Sequence, residues 1–257
     1  MAEPKGYELV LHEGADPSTL GGTAICGFTT AGMVGSIAAG HIVRALQLPQ
    51  MGSVRDDRFP AIALIQDSRP KHPVRVYQGD GIGVFIAEIK FPPQTDPSFG
   101  ETVLRWFTEG GFDRLVIIDG VAGPDLGEAE EGRLFGVAAS ETARETLVEH
   151  GIEPIETGIV AGIPGYLLAE ADRRGLDAVA LISAANPAYP DARAAALALE
   201  AVSEIIDIEI PLHELLEDAR RIEDNVRRVF EESQTMLPAP SDGFGATTDG
   251  DDDPMIL

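Results

Sequence analysis

The chain has 257 residues, 44% of them hydrophobic, with one cysteine and with 43 Asp and Glu against 19 Lys and Arg, a net charge of −24. That length buries a large core, as one domain or one domain with an appendage, while the lone Cys26 excludes an internal disulfide framework and any zinc site built from several thiolates. The acidic balance argues against nucleic acid, which needs a basic footprint to displace counterions; no basic cluster here exceeds the arginine pairs at 173–174 and 220–221.

In chain order, apolar runs recur, most of them followed by a turn and a helical pattern. "TAICGF" (23–28) precedes "MVGSIAAGHIVRALQ" (33–47). "AIALIQ" (61–66), "VRVYQ" (74–78) and "IGVFIAEI" (82–89) follow without long helices between them, so part of the sheet is expected to be antiparallel. The helical "PSFGETVLRWFTEGG" leads to "RLVIIDG" (114–120). Then "RLFGVAAS" (133–140), "TGIVAG" (157–162) and "AVALISAA" (178–185) each lead into a helical stretch. Such alternation predicts a mostly parallel sheet covered by helices, with strands apolar on both faces. Gly151 and Gly175 stand where helices end, and Pro164, Pro190 and Pro211 near where they begin.

The end of the chain changes character. In "PLHELLEDARRIEDNVRRVFEES", Leu212, Leu215, Ala219, Ile222, Val226 and Val229 form an apolar seam at helical spacing. That pattern fits a helix lying on its own domain or one pairing with another subunit. After Gln234 the chain is rich in Gly, Pro, Asp and Thr, the composition of a flexible acidic tail. The expected organisation is an α/β core over 1–210, an amphipathic helix over 211–235 and a tail over 236–257.

The glycine loop after the first strong strand is the leading candidate site. Gly27 and Gly32 have Walker A spacing, but Met33 holds the lysine place and Val34 the hydroxyl place. Gly32 and Gly35 supply half of a dinucleotide fingerprint, with Thr30 in place of its first glycine. Backbone N–H groups at the following helix start would still attract an anion, whereas the other reading is a tight turn with close helix–sheet packing. Asp119, beside Gly120 at a strand end, stands where α/β proteins often place ligands. Gly27, Gly32, Gly35 and Asp119 therefore make one candidate anion or ligand loop.

Other chemistry is sparse. Cys26 reads either as a nucleophile at a strand end or, with no histidine nearby in the sequence to activate it, as a buried small hydrophobe. The five histidines, His12, His41, His72, His150 and His213, form no metal-binding pair, and there is no Gly-x-Ser-x-Gly elbow. Glu88 sits in an apolar strand, where a lone carboxylate needs a partner, and reads either as a catalytic group or as one half of a structural pair with an arginine. Arg69, Arg75 and Asp67 are candidates for a polar cluster within the arginine- and proline-dense stretch 56–81, which reads as a contact surface or a loop over a pocket. No catalytic group, cofactor or metal site is assembled by these patterns. No apolar run approaches the roughly 20 residues of a membrane span, and the first residues lack a signal peptide's basic start and apolar middle. A soluble cytoplasmic protein without a membrane partner is expected.

Taken together, "GFTTAGMVGSIAAGHIV", "RFPAIALIQDSRPKHPVRVY", "FIAEIKFPP", "FGVAAS", "TGIVAGIPGYLLAEADRRGLDAVALISA" and "YPDARAAALALEAVSEII" resemble, in order, the blocks of the archaeal proteasome assembly chaperone family. The match spans roughly residues 20 to 235. With only Lys5, Lys71 and Lys90 as lysines, the acidic surface suits a haloarchaeal-type member in a salt-rich cytoplasm. The resemblance implies a three-layer α/β sandwich, phosphorylase-like in outline, and self-association into homo-oligomers. It also implies a non-enzymatic role that binds proteasome core subunits. Some archaeal relatives dock a C-terminal tail ending hydrophobic–tyrosine–any residue. Here Met255, Ile256 and Leu257 occupy those places, with Ile256 where the tyrosine belongs, and Thr29 and Thr30 replace the proline and glycine usual in the opening loop. The alternative reading is a nucleotide- or phosphate-binding enzyme of phosphorylase-like or ATP-dependent ligase type.

Overall fold

The computed structural model describes residues 7–15, 21–66, 68–122, 132–217 and 220. Its strands are β1 (Glu8–Leu11), β2 (Thr23–Phe28), β3 (Gln50–Arg55), β4 (Leu64–Gln66), β5 (Arg69–Lys71), β6 (Val74–Gly79), β7 (Ile82–Ala87), β8 (Arg114–Val121), β9 (Leu134–Ala138), β10 (Glu153–Pro154) and β11 (Ala178–Ala184). Its helices are α1 (Val34–Ala45), α2 (Asp96–Glu109), α3 (Glu141–Glu149), α4 (Gly162–Arg174) and α5 (Ala192–Ile206). Nine strands form one sheet in the order β1-β3-β6-β7-β2-β8-β11-β9-β10, and β4 and β5 form a separate hairpin.

Apolar residues alternate sides along the central strands and build two cores. Ile25, Val116, Ile118, Val179 and Leu181 face Val34, Ile42, Leu147, Leu199 and Val202 of α1, α3 and α5. Ala24, Cys26, Phe85, Leu115, Ile117 and Ala180 face Phe99, Trp106 and Leu167 of α2 and α4. The result is three layers, with both sheet faces dry, as the unbroken apolar runs predict. Phe99 anchors the second core, meeting Phe28, Phe85 and Tyr7 edge-on at 6.3, 5.7 and 5.1 Å between ring centroids.

The sheet is evenly mixed rather than mostly parallel. Pairings β7–β2, β2–β8, β8–β11 and β9–β10 are parallel, and β1–β3, β3–β6, β6–β7 and β11–β9 are antiparallel. Hydrophobic patterning reports burial, not direction, so β9, which runs against β11, reads like its parallel neighbours. On the other flank, Asp80 and Gly81 at φ 48° and 77° close β6 and β7 in a two-residue hairpin, and that turn chemistry is explicit in the sequence.

Two further expectations are corrected. "TGIVAG" is no strand: residues 157–161 are unpaired loop and Ile159 is 95% exposed, since the sheet already ends at β10. In "AIALIQ" only Leu64–Gln66 is extended, and it pairs with β5 outside the main sheet. The edge strand β1 and its neighbour β3 carry no strong apolar run and have no counterpart in the sequence reading. Residues 213–217 begin a helix, with Leu215 buried on the first core, and Pro211 O lies 2.6 Å from His41 Nε2. The remainder of the expected helix over 211–235, apart from Arg220, and the tail over 236–257 lie outside the described residues.

Candidate functional site

Gly27 near the end of β2, Gly32 in the turn that follows and Gly35 in the first turn of α1 each meet other parts of the chain at close range. A Cβ on Gly27 would stand 2.0 Å from Gly35 O, and one on Gly35 would stand 2.4 Å from Ile118 O. Helix α1 thus rests on β2 and β8 backbone to backbone. Gly32 and Met33 both take left-handed conformations, at φ 59° and 55°, so the chain can turn sharply from strand into helix. Gly32 O accepts a 2.7 Å hydrogen bond from Asp191 N. Asp191 in turn caps α5 by accepting from Ala194 N at 2.9 Å, and its other oxygen accepts from Asn186 N at 2.9 Å. The loop after β2 and the loop after β11 therefore hold one another.

Asp119 belongs to the same neighbourhood. It is 8% exposed near the end of β8, and its carboxylate accepts from Gly120 N at 2.8 Å. Burial pushes its carboxyl up to about 6, against the opposing pull of the Thr30 hydroxyl and the Gly120 N–H. A Cβ on Gly120 would stand 2.2 Å from Ala31 O, which is why the loop can lie so close. The four residues singled out in the sequence are thus brought to one place, at the carboxyl ends of the parallel strands.

Beside that loop lies a cavity of about 210 Å³ bordered by Thr29, Thr30, Lys90, Asp96, Gly162 and Pro164. The Thr29 hydroxyl donates to Ala87 O at 3.1 Å. Asp96 Oδ2 stands 3.8 Å from the place of a Cβ on Gly162, so the start of α4 already faces a carboxylate of its own chain, and burial raises that carboxyl's pKa. Cys26 is fully buried and burial pushes its thiol up, the state of an inert core cysteine. Among the described residues no three His, Cys, Asp or Glu side chains are grouped to hold a metal ion.

Glu88 has the arginine partner its position demands. Arg75, 1% exposed, pairs with the Glu88 carboxylate and also donates to the His72 carbonyl and, at 2.8 Å, to the Tyr77 hydroxyl. Arg75 therefore does not cluster with Arg69, which is exposed, and Asp67 lies outside the described residues. A second cavity, of about 670 Å³, opens along β3 and the following loop, bordered by Glu8, Arg55, Asp57, Phe59, Ile62 and His72. The loop beside it exposes apolar residues that sequence reasoning placed in a strand. The available signal was proline: Pro60 and Pro70 bracket the run and keep it out of a central sheet position.

A three-layer α/β sandwich with a mixed nine-stranded sheet, its first glycine loop packed under the sheet's carboxyl edge, defines the class. The PAC2 family model matches residues 24–229, and the chain belongs to the PAC2 family. It is 26% identical over 210 residues to an uncharacterized protein, MJ0106, of Methanocaldococcus jannaschii, covering 82% of this chain and 86% of that one. Among solved structures it is similar to Pyrococcus furiosus PbaA, described as an archaeal homolog of proteasome-assembly chaperone. The TM-score is 0.79 at 27% identity, over 90% of this chain and 94% of PbaA. Pyrococcus furiosus PbaB, described as an archaeal proteasome activator, shares the fold at a TM-score of 0.74 and 23% identity, over 88% of this chain and 99% of PbaB. Among the described residues no helix is long and apolar enough to cross a membrane.

Proposed function

We propose that this chain is a non-enzymatic, proteasome assembly chaperone-like protein of the cytoplasm that forms homo-oligomers and binds proteasome core subunits. The observation that carries the reading is the likeness to PbaA across 90% of this chain. It is supported by the packing at the sheet's carboxyl edge, where the glycines that would cradle a phosphate meet backbone of their own chain. Work would then fall to surfaces that meet other chains. The tail offers one such contact: an acidic segment carrying Met255, Ile256 and Leu257 suits an apolar pocket lined by lysines. Affinity purification from the native host at its own salt concentration tests both parts. Core subunits are expected with the full-length chain and in reduced yield after deletion of 236–257; no association of either form would overturn the reading.

One observation favours a second reading, a nucleotide- or phosphate-binding enzyme of phosphorylase-like or ATP-dependent ligase type. Asp119, held near 6 beside Thr30, stands at the strand ends close to a cavity that Lys90 borders. Calorimetric titration with nucleotides and with phosphate decides it. Micromolar binding lost in Lys90→Ala would favour the enzyme, and no heat of binding would remove its support.

A further inference from the structure

The β4–β5 hairpin and the loop leading to it form an exposed apolar and basic element. Pro60, Ala61, Ile62, Ala63 and Ile65 are all exposed, Ile65 at 70%. Ile65 is paired across the hairpin with Pro70, also exposed, so one face of this small sheet is apolar and uncovered. A lone two-stranded sheet is marginal in water and gains stability from something packed on its face, and a contiguous apolar patch of this kind marks a docking surface. The patch also departs from the acidic balance of the whole chain. Residues 55–72 carry Arg55, Arg58, Arg69 and Lys71 against Asp56, Asp57 and Asp67, a net of +1 in a chain of −24.

The element is held in place at its base. The buried Arg75 guanidinium grips the His72 carbonyl, and Lys71 Nζ donates to Gln50 Oε1 of β3 at 3.0 Å. Arg58 pairs with Asp56 at 2.6 Å and lies 4.0 Å from the centre of the Tyr7 ring. A docking surface ordered before it binds loses less conformational freedom on binding.

The opposite edge of the sheet has the complementary character. Along α3, Glu141, Glu145 and Val148 recur on one exposed stripe, with Glu149 beside it and Val148 75% exposed; Arg144 on the same face pairs with Glu141 at 3.5 Å, which leaves Glu145 and Glu149 to set the acidic character. Next to it, Glu156 and the almost fully exposed Ile159 continue the pattern, while Glu153 is paired with Arg133 at 2.9 Å. The hairpin leaves the main sheet between β3 and β6, near one edge, whereas α3 covers β9 and β10 at the other. The nine strands separate those edges by about 38 Å at the usual strand spacing, so a hairpin cannot reach its own chain's acidic edge.

We infer that the β4–β5 hairpin docks on the acidic α3 edge of a second copy of this chain, a head-to-tail contact that closes into a ring when the rotation permits. The inference rests on the proposed self-association and assigns its surface. The test is light-scattering mass at native salt on the wild type, Ile62→Glu/Ile65→Glu and Glu145→Lys/Val148→Lys. All four positions are exposed, and circular dichroism checks that each variant folds. The wild type is expected to be oligomeric and each variant alone to have the mass of one chain. A mixture of the two variants is expected to form a two-chain species, because the intact edge of the first still accepts the intact hairpin of the second. Variants that keep the wild-type mass, or a mixture that stays monomeric, overturn the hairpin contact and leave self-association standing. A wild type that is monomeric up to its solubility limit overturns both.

Discussion

The glycine loop after β2 and the proline-bracketed segment before β6 are both dense in turn residues, yet the chain uses them in opposite ways. In the first, Gly27 and Gly35 let helix and strand backbones touch, and the loop vanishes into the packing. In the second, prolines keep the segment off the main sheet and leave Ile62 and Ile65 exposed. Glycine removes a side chain so that something else can fill the space, and proline removes a donor so that nothing can pair there. The glycines of the loop that looks like a ligand site are used for close packing, and the segment that looks like a strand is a surface.

The largest effect that would break this contrast is expected at Gly27→Val. With its Cβ 2.0 Å from Gly35 O and 2.7 Å from Ala39 Cβ, α1 must lift off the sheet. The cost should be about 3 kcal/mol or more in urea unfolding. A loss below about 1 kcal/mol would mean that the helix does not rest on the strand as described.

Next comes Glu88→Ala, which leaves the Arg75 cation buried without its carboxylate. Glu88 is itself partly solvated, so a loss of about 2 kcal/mol is expected rather than the full cost of breaking a dry pair. Glu88→Ala with Arg75→Met should recover most of it, because the unpaired charge is then gone. Equal losses in the single and double variants would show that the pair is not what makes Glu88 necessary.

A smaller effect concerns Asp119. Its folded pKa, about 6, lies above the ordinary carboxylate value, so the folded state holds the proton more tightly than the unfolded chain does. Stability should therefore rise as pH falls from 7 through 6 towards 4, by about 2 kcal/mol at most. Asp119→Asn should flatten that part of the profile and be the more stable protein at pH 7. A wild-type profile that falls towards pH 4.5, with no difference from the variant, would contradict the burial of this carboxyl. The smallest effect sharpens the contrast from the other side. Ile65→Ser, at an exposed position, should change unfolding stability by no more than about 0.5 kcal/mol while weakening self-association.

Much of the architecture was legible in the chain because buried strands and helices differ in period. "TAICGF" is β2 residue for residue, and α1, α2, α3, α4 and α5 begin and end within a few residues of their patterns. Strand direction was not legible, because an apolar run such as "RLFGVAAS" carries the same signal whichever way it runs. Nor were β1 and its neighbour β3, since "ELVL" and "QMGSVR" are half-covered and lack a strong pattern. "TGIVAG" misled because glycine-spaced apolar residues describe a buried strand and an exposed loop equally well. At the candidate site, the gathering of Gly27, Gly32, Gly35 and Asp119 was legible, because each stands at a strand or helix end. The contacts that fill the loop were not, since Asn186 and Asp191 come from far along the chain.

The proposal that this PAC2 chain works through surfaces that meet proteasome core subunits stands or falls on what the chain binds in its host. The most direct measurement is quantitative mass spectrometry of what the full-length chain retains from its native host at that host's salt concentration. Core subunits are expected among the most enriched proteins, at a near-fixed ratio to the bait. A folded bait that retains none of them, while nucleotide binds it at micromolar concentration, would contradict the proposal.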